Sequence, residues 1–309
     1  VNWLLKVGMF KLLSALPRGG SLYHWAQWNL TRSPIPTQGK VRQKIEVGIR
    51  YLLFMRQHFA GWDYRNVRYV DIGVGWAPII PLLFFSAGVD RLTLCDIRRH
   101  LTLANVVRTI QIFRRIAQGC VQDRVQLCRM PPLPRDGDQL DHCLARMGMR
   151  YVVPYRLSDV AGETGPKLIS AAEVLLYLVP SDLESLLRMM RDALKKDGGV
   201  FMATIHLYDL WSDVDRSISR YNKYRYSEFV WNRLINSRLM AYNRFTASDY
   251  RACVEKAGLE IIEFHVDGPK QEDLEELRRI RVHKVFYGKT ETELAGRHLF
   301  FAATVPSGK

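Results

Sequence analysis

Two carboxylates and two glycines carry the most legible chemistry in this sequence. Tyr69-Val70-Asp71-Ile72-Gly73-Val74-Gly75-Trp76-Ala77-Pro78 runs from an apolar strand through an acid and two alternate glycines to a prolyl turn. Such a strand, turn and helix start form a nucleotide-binding corner. Glycines admit a ligand to the backbone, and a helix N-terminus offers free N–H groups. A dinucleotide fingerprint would need a third glycine where Pro78 stands, and Trp76 crowds the place of a pyrophosphate. No Lys-Ser/Thr pair follows, as a phosphate loop would require. Asp71 would repel phosphate but suits a ligand carrying an ammonium group. Arg91-Leu92-Thr93-Leu94-Cys95-Asp96 is a second short apolar strand. Its closing acid stands about 20 residues past the glycines, the spacing of a ribose-diol acceptor.

A ribose, no pyrophosphate and a positive ligand together point to S-adenosylmethionine. The set Asp71-x-Gly73-x-Gly75-x-Ala77 with Asp96 resembles the class I S-adenosylmethionine-dependent methyltransferases, with Ala77 in place of their usual third glycine. Within them, Gly75-Trp76-x-x-Ile79-Ile80-Pro81-Leu82 is similar to a little-characterised bacterial group linked to surface-polysaccharide or secondary-metabolite pathways. The resemblance implies a doubly wound, mostly parallel seven-stranded Rossmann-like sheet. It implies cofactor contacts from Asp71, Gly73, Gly75, Trp76, Asp96, Ile97 and Ser170. Ser158-Asp159 occupies the place of an adenine contact, and Asp159 could equally cap a turn. Such enzymes often open the fourth strand with Asp and follow it with His; Lys167 and Tyr177 stand there, so no acid–base role is carried over.

Methyl transfer from a sulfonium is a direct displacement, for which alignment in a dry pocket matters most. A hydroxyl acceptor gains from a general base. His206, directly after the expected fifth strand, is the candidate base; its alternative is a structural histidine. Asp213 and Asp215 are further candidates, although acids on a loop commonly serve turns, and no metal is expected. Residues 207–245 hold Tyr208, Trp211, Tyr221, Tyr224, Tyr226, Trp231 and Tyr242, interleaved with arginines. Aromatics offer flat faces to a sugar or ring, and arginine clamps anions bidentately. The segment reads as an acceptor lid, with Tyr221, Asn222, Tyr242, Asn243 and Arg244 as expected contacts. Its alternative is a helical hairpin whose aromatics pack inward.

The elements that must position these groups follow from periodicity. Apolar spacing predicts helices over 40–60, 79–86, 100–117, 248–256 and from Asp273. A capping box at Ser181-Asp182-Leu183-Glu184 opens another helix, closed by Gly198-Gly199. Strands are predicted over 67–72, 91–95, 151–157, 167–170, 200–205, 259–265 and 298–305. Residues 1–65 read as an N-terminal helical cap and 66–309 as the methyltransferase domain. Within 1–30, two apolar, aromatic helices break at Pro17-Arg18-Gly19-Gly20; they suit a cap over the site or an interfacial membrane contact.

Composition narrows the class. The chain has 309 residues, 48% hydrophobic and 25% charged, an ordinary globular balance. Five cysteines without a C-x-x-C pair favour free thiols in a reducing cytoplasm over disulfides or zinc. A net charge of +14 implies an acidic partner or a well-solvated arginine surface. The reading is O-methylation of a small-molecule or glycan-type acceptor bearing an anionic group. Its rivals are nucleic-acid methylation and a non-catalytic cofactor-binding regulator or scaffold. No recognisable nucleic-acid module and no N/D-P-P-Y/F tetrapeptide support the first rival.

Overall fold

The computed structural model describes residues 2–306 except 18, 20, 21, 23–34, 62, 136 and 156–164. Asp159 and most of the expected second N-terminal helix lie outside the described residues. Seven strands form one mixed, mostly parallel sheet: β1 (Arg68–Ile72), β2 (Arg91–Cys95), β3 (Met149–Val152), β4 (Lys167–Ala172), β5 (Gly199–His206), β6 (Glu260–Asp267) and β7 (His298–Thr304). Their order is β3-β2-β1-β4-β5-β7-β6. β1 lies between β2 and β4, parallel to both, with Val70 opposite Thr93 on one side and Ile169 on the other. Being central and covered on both faces, β1, β2 and β4 are buried almost throughout. That explains why apolar residues point to both faces of these strands, with Asp71, Thr93 and Ser170 among the buried polar exceptions.

Contacts divide the chain into two compact units. One comprises Pro34–Ala172, Arg188–Met202 and Ala302–Lys309; the other comprises Val1–Ser33, Glu173–Leu187 and Ala203–Phe301.

The first unit holds the first four strands and the helices around them. Helix α1 (Trp3–Ala15) belongs to the second unit, whereas α2 (Gln38–His58) packs in the first against α3 (Ile79–Ser86) and α4 (Leu103–Val121). Val41, Ile45, Ile49 and Leu52 form the inward face of α2. Gly48 lets α3 approach, since a Cβ there would lie 2.7 Å from Leu83 Cδ2. Helix α4 begins at Leu103 rather than at His100, because the Thr102 side chain accepts the Asn105 N–H and fixes the cap. β3 is earlier and shorter than the predicted 151–157. Its ladder with β2 runs from Met149 to Val152, and α5 (Leu140–Ala145) precedes it closely.

The second unit contains α6's first turns, α7 (Ala247–Lys256), β6, α8 (Gln271–Arg278) and α9 (Glu291–Leu294). Helix α6 spans Pro180–Lys195, so it opens on Pro180 and not on a Ser181 cap; a proline needs no donor in that first turn. Residues 207–245 form neither a hairpin of helices nor an open loop. They make short single-turn segments at Leu210–Asp213, Asn222–Arg225 and Val230–Ile235, tied together by buried polar groups.

Candidate active site

In the first unit, β1 delivers Asp71 and then the glycine turn. Gly73 and Gly75 have φ of 73° and 65°, a region that side chains with a Cβ resist. The Gly73 N–H donates to the Cys95 carbonyl at 2.8 Å, tying the turn to the end of β2. There Asp96 braces the same turn from its side chain: Oδ2 accepts the Gly75 N–H at 3.0 Å. Its Oδ1 accepts the N–H groups of Ile97 and Arg98 at 2.8 and 3.3 Å. A carboxylate offers about four lone-pair sites, so Asp96 retains one for a ribose hydroxyl. Next to it Ile97 is exposed, and the rings of Trp76 and His100 lie 4.5 Å apart. Tyr151 on β3 accepts the His100 N–H at 2.9 Å, holding the loop that follows Asp96.

Asp71 is buried at 4% exposure. Its Oδ1 accepts Ser170 Oγ at 2.7 Å and Tyr69 OH at 3.2 Å, with Tyr69 stacked on Phe84. Burial pushes its carboxyl up to about 6, opposed first by the Ser170 hydrogen bond and then by the nearby Lys44 ammonium. Lys44, reaching from α2 to the Ala172 carbonyl at 3.1 Å, was not among the expected site residues. Its presence changes the electrostatics, because one positive charge already answers Asp71. Ser170 accordingly serves Asp71 directly, across the β1–β4 register that sets the two residues opposite each other.

These residues fit S-adenosylmethionine. The turn has the required left-handed glycines, Asp96 has spare acceptor capacity, and around Gly75 a Cβ would meet only Gly73 O at 3.9 Å. Solved structures with a similar chain path include a S-adenosylmethionine-dependent methyltransferase from Clostridium acetobutylicum, at 11% identity. That match covers 93% of this chain and 98% of that one, with a TM-score of 0.43. A methyltransferase from Anabaena variabilis shares 12% identity over 82% of each chain, TM-score 0.40. Geranyl diphosphate methyltransferase in complex with S-adenosylmethionine shares 11% over 86% of this chain and 89% of that one, TM-score 0.41. Neither a family model nor a curated protein matches the chain. The fold is a seven-stranded, mixed and mostly parallel Rossmann-like sheet with flanking helices.

In the second unit, the acid–base candidates gather at the end of β5. His206 is partly exposed, and Glu173 Oε2 accepts its backbone N–H at 2.8 Å while lying 3.4 Å from its Nε2. Glu173, the residue after β4, holds φ at 62°. A non-glycine residue in that region is uncommon and marks a position held by its surroundings. The rings of Tyr208 and His298 lie 5.0 and 4.8 Å from the imidazole. Burial pushes the Tyr208 hydroxyl up to about 12, with Asp213 and Glu173 adding to it, so it is a neutral donor at physiological pH. Asp213 is exposed and feels the Arg220 charge. Asp215 accepts the Trp3 N–H at 3.0 Å and Ser217 Oγ at 2.6 Å; it caps a turn and the start of α1. Among the described residues, no group of three His, Cys, Asp or Glu could hold a metal ion. All five cysteines are free thiols.

The expected acceptor contacts are used differently. Tyr221, Asn222, Tyr242 and Arg244 are buried at 0–5% exposure. Tyr221 OH donates to the Ala295 carbonyl at 3.2 Å. Asn222 Nδ2 and Tyr242 OH both donate to the Asp209 carboxylate, which also accepts the Trp211 N–H. Arg244 donates to the carbonyls of Lys223 and Tyr226 and pairs with Glu228. Asn243 is half-buried; its Nδ2 donates to the carbonyls of Leu175 and Leu178, both at 3.0 Å, and its Oδ1 accepts Tyr250 OH at 2.9 Å. The physical reason is burial: Tyr221 and Tyr242 take their hydroxyls inside, where each finds a protein partner. Arg216, Arg220, Arg225, Arg233 and Arg238 are the arginines that this segment leaves exposed.

Sequence reasoning missed Glu173, Asp209, Lys44 and Tyr151. Glu173 was visible as an acid at the end of a strand carrying Ser170, the same position logic that singled out Asp71 and Asp96. Nothing in the sequence pairs Asp209 with Tyr242, 33 residues away.

Proposed function

We propose that the protein transfers methyl from S-adenosylmethionine to a hydroxyl of a small-molecule or glycan-type acceptor bearing an anionic group. The observation that carries this reading is the Asp96 carboxylate bracing the Gly73–Gly75 turn. In this reading Gly73, Gly75 and Trp76 hold the cofactor's backbone-facing side, Asp96 its ribose, Ile97 its base, and the Asp71–Ser170 pair its amino-acid end. Asp159 remains a proposed adenine contact. Bound there, the cofactor supplies an electrophilic methyl group on a sulfonium.

The chain's own contribution is orientation and proton removal. The Glu173–His206 pair takes the acceptor's hydroxyl proton, and the carboxylate stabilises the resulting imidazolium. Asp213, on the surface beside Arg220, is the second candidate acid–base group. Exposed lid arginines, Arg220 among them, meet the acceptor's anionic group, while Tyr221, Asn222, Tyr242, Asn243 and Arg244 keep 207–245 folded to present them. Free thiols fit a cytoplasmic setting.

Methyl-labelled S-adenosylmethionine with a panel of anionic hydroxylated acceptors tests this. Label should pass to an acceptor oxygen, and Glu173→Gln or His206→Gln should lower the rate by about 10²–10⁴-fold. Label in bulk RNA or DNA would put nucleic-acid methylation in its place. Tight cofactor binding with no transfer to any extract component would make the protein a regulator or scaffold.

A further inference from the structure

Helix α1 presents two opposite apolar faces, and packing within the protein accounts for one of them. Trp3, Val7 and Phe10 are buried, with the Trp3 and Phe10 rings 6.0 and 5.8 Å from that of Trp211. At 100° per residue these three fall within an arc of about 60°. Leu5, Met9 and Leu12 fall within a second arc of about 60° on the opposite side, and Leu16, the residue that caps the helix C-terminus, follows in line. Leu5 is 73% and Leu12 66% exposed; Met9 and Leu16 are also exposed, as is Leu4, which lies outside the arc on the Lys11 side. A helix bathed in water normally carries polar residues there.

The charges around this stripe indicate what covers it. Lys6 and Lys11 project between the two faces, one on each side. Lys6 Nζ lies 5.7 Å over the Phe10 ring, and Lys11 Nζ donates to the Arg233 carbonyl at 2.6 Å. The segment carrying Arg233 exposes two more large apolar side chains, Phe229 and Leu234. No acidic residue precedes Glu46 in the sequence. No described helix is long and apolar enough to cross a membrane.

We infer that α1 docks in the headgroup layer of an anionic lipid bilayer, with Leu5, Met9, Leu12 and Leu16 inserted and the two lysines level with the lipid phosphates. Lysines flanking an apolar stripe suit this geometry, because their stems follow the apolar surface while their ammonium groups reach the headgroups. An apolar protein partner or a second copy would be served by the stripe without flanking cations. The inference stands independently of methyl transfer, since it uses no residue of the cofactor corner or of the Glu173–His206 pair.

Co-sedimentation of the 309-residue protein with vesicles tests it. Phosphatidylcholine vesicles containing phosphatidylglycerol should bind about tenfold more tightly than phosphatidylcholine alone. Added salt should erode that difference. The double variant Leu5→Glu/Leu12→Glu, on exposed positions away from Trp211, should lose binding by about tenfold or more with an unchanged melting temperature. Lys6→Gln/Lys11→Gln should lose the anionic preference and keep weak binding to neutral vesicles. Failure of the parent protein to bind either vesicle would overturn the inference, as would equal binding by the Glu variant. So would a concentration-dependent dimer that the Glu variant dissolves while vesicles remain unbound.

Discussion

Asp71 and Asp209 are two buried carboxylates, each gripped by a tyrosine hydroxyl, and they do opposite work. Asp71 sits at the end of a central strand, one turn from the glycines, and is held by Ser170 and Tyr69. Its neighbour Asp96 spends one oxygen on the turn and two N–H contacts on the loop beyond. Asp209 lies in the 207–245 segment and gathers Tyr242, Asn222 and the Trp211 N–H. Burial pushes both carboxyls up, yet the groups around Asp71 belong to regular strands, whereas those around Asp209 are the means by which an irregular segment is held together. The partners of Asp71 are already placed by the ladders of their strands. A buried acid in a chain of single turns marks the fold itself.

Breaking the second centre should have the largest effect. Asp209→Ala strands the Tyr242 hydroxyl and the Asn222 amide in the interior and removes the carboxylate that faces the buried Lys223, whose ammonium burial already lowers to about 7. A loss of about 3–5 kcal/mol in chemical denaturation is expected. A loss under 1 kcal/mol would mean that Asp209 does not organise its segment.

Asp71 should reveal itself through pH. Between about pH 4 and 6 the folded protein holds a proton on Asp71 that the unfolded chain has released. Stability therefore falls as pH rises through that window, by about 3 kcal/mol in total, and the cost is complete above it. Asp71→Asn should flatten that slope relative to the parent chain. An unchanged slope would show that Ser170 and Lys44 keep the carboxylate ionised. Smallest in energy, but confined to binding, is Asp96→Ala: cofactor affinity measured by calorimetry should fall by about 1–3 kcal/mol.

The same contrast explains what could be read in the sequence. The corner was legible because its requirements are local: an apolar strand, φ above zero at Gly73 and Gly75, and an acid one strand later. Helix α3 and strands β1 and β2 fall where the apolar pattern puts them, since each is a mainly apolar run bounded by turn residues. The start of α4 was misplaced because Thr102, rather than the end of β2, decides it. The 207–245 segment was legible in composition and illegible in use. Tyr242 and Asp209, or Asn243 and Leu175, meet only through the completed fold, and aromatic–arginine interleaving looks the same whether a ligand or the protein fills it. Glu173 is different: its place at the end of a strand is legible, and only its φ of 62° and its pairing with His206 wait for the completed fold.

The claim on which the rest depends is that a sulfonium nucleoside binds across the ends of β1 and β2. A crystal structure with S-adenosylhomocysteine tests it most directly. A ribose hydroxyl should lie within hydrogen-bonding distance of the Asp96 carboxylate, with the ligand backbone against Gly73 and Gly75. Density for the ligand elsewhere in the protein, or none at saturating concentration, would contradict it.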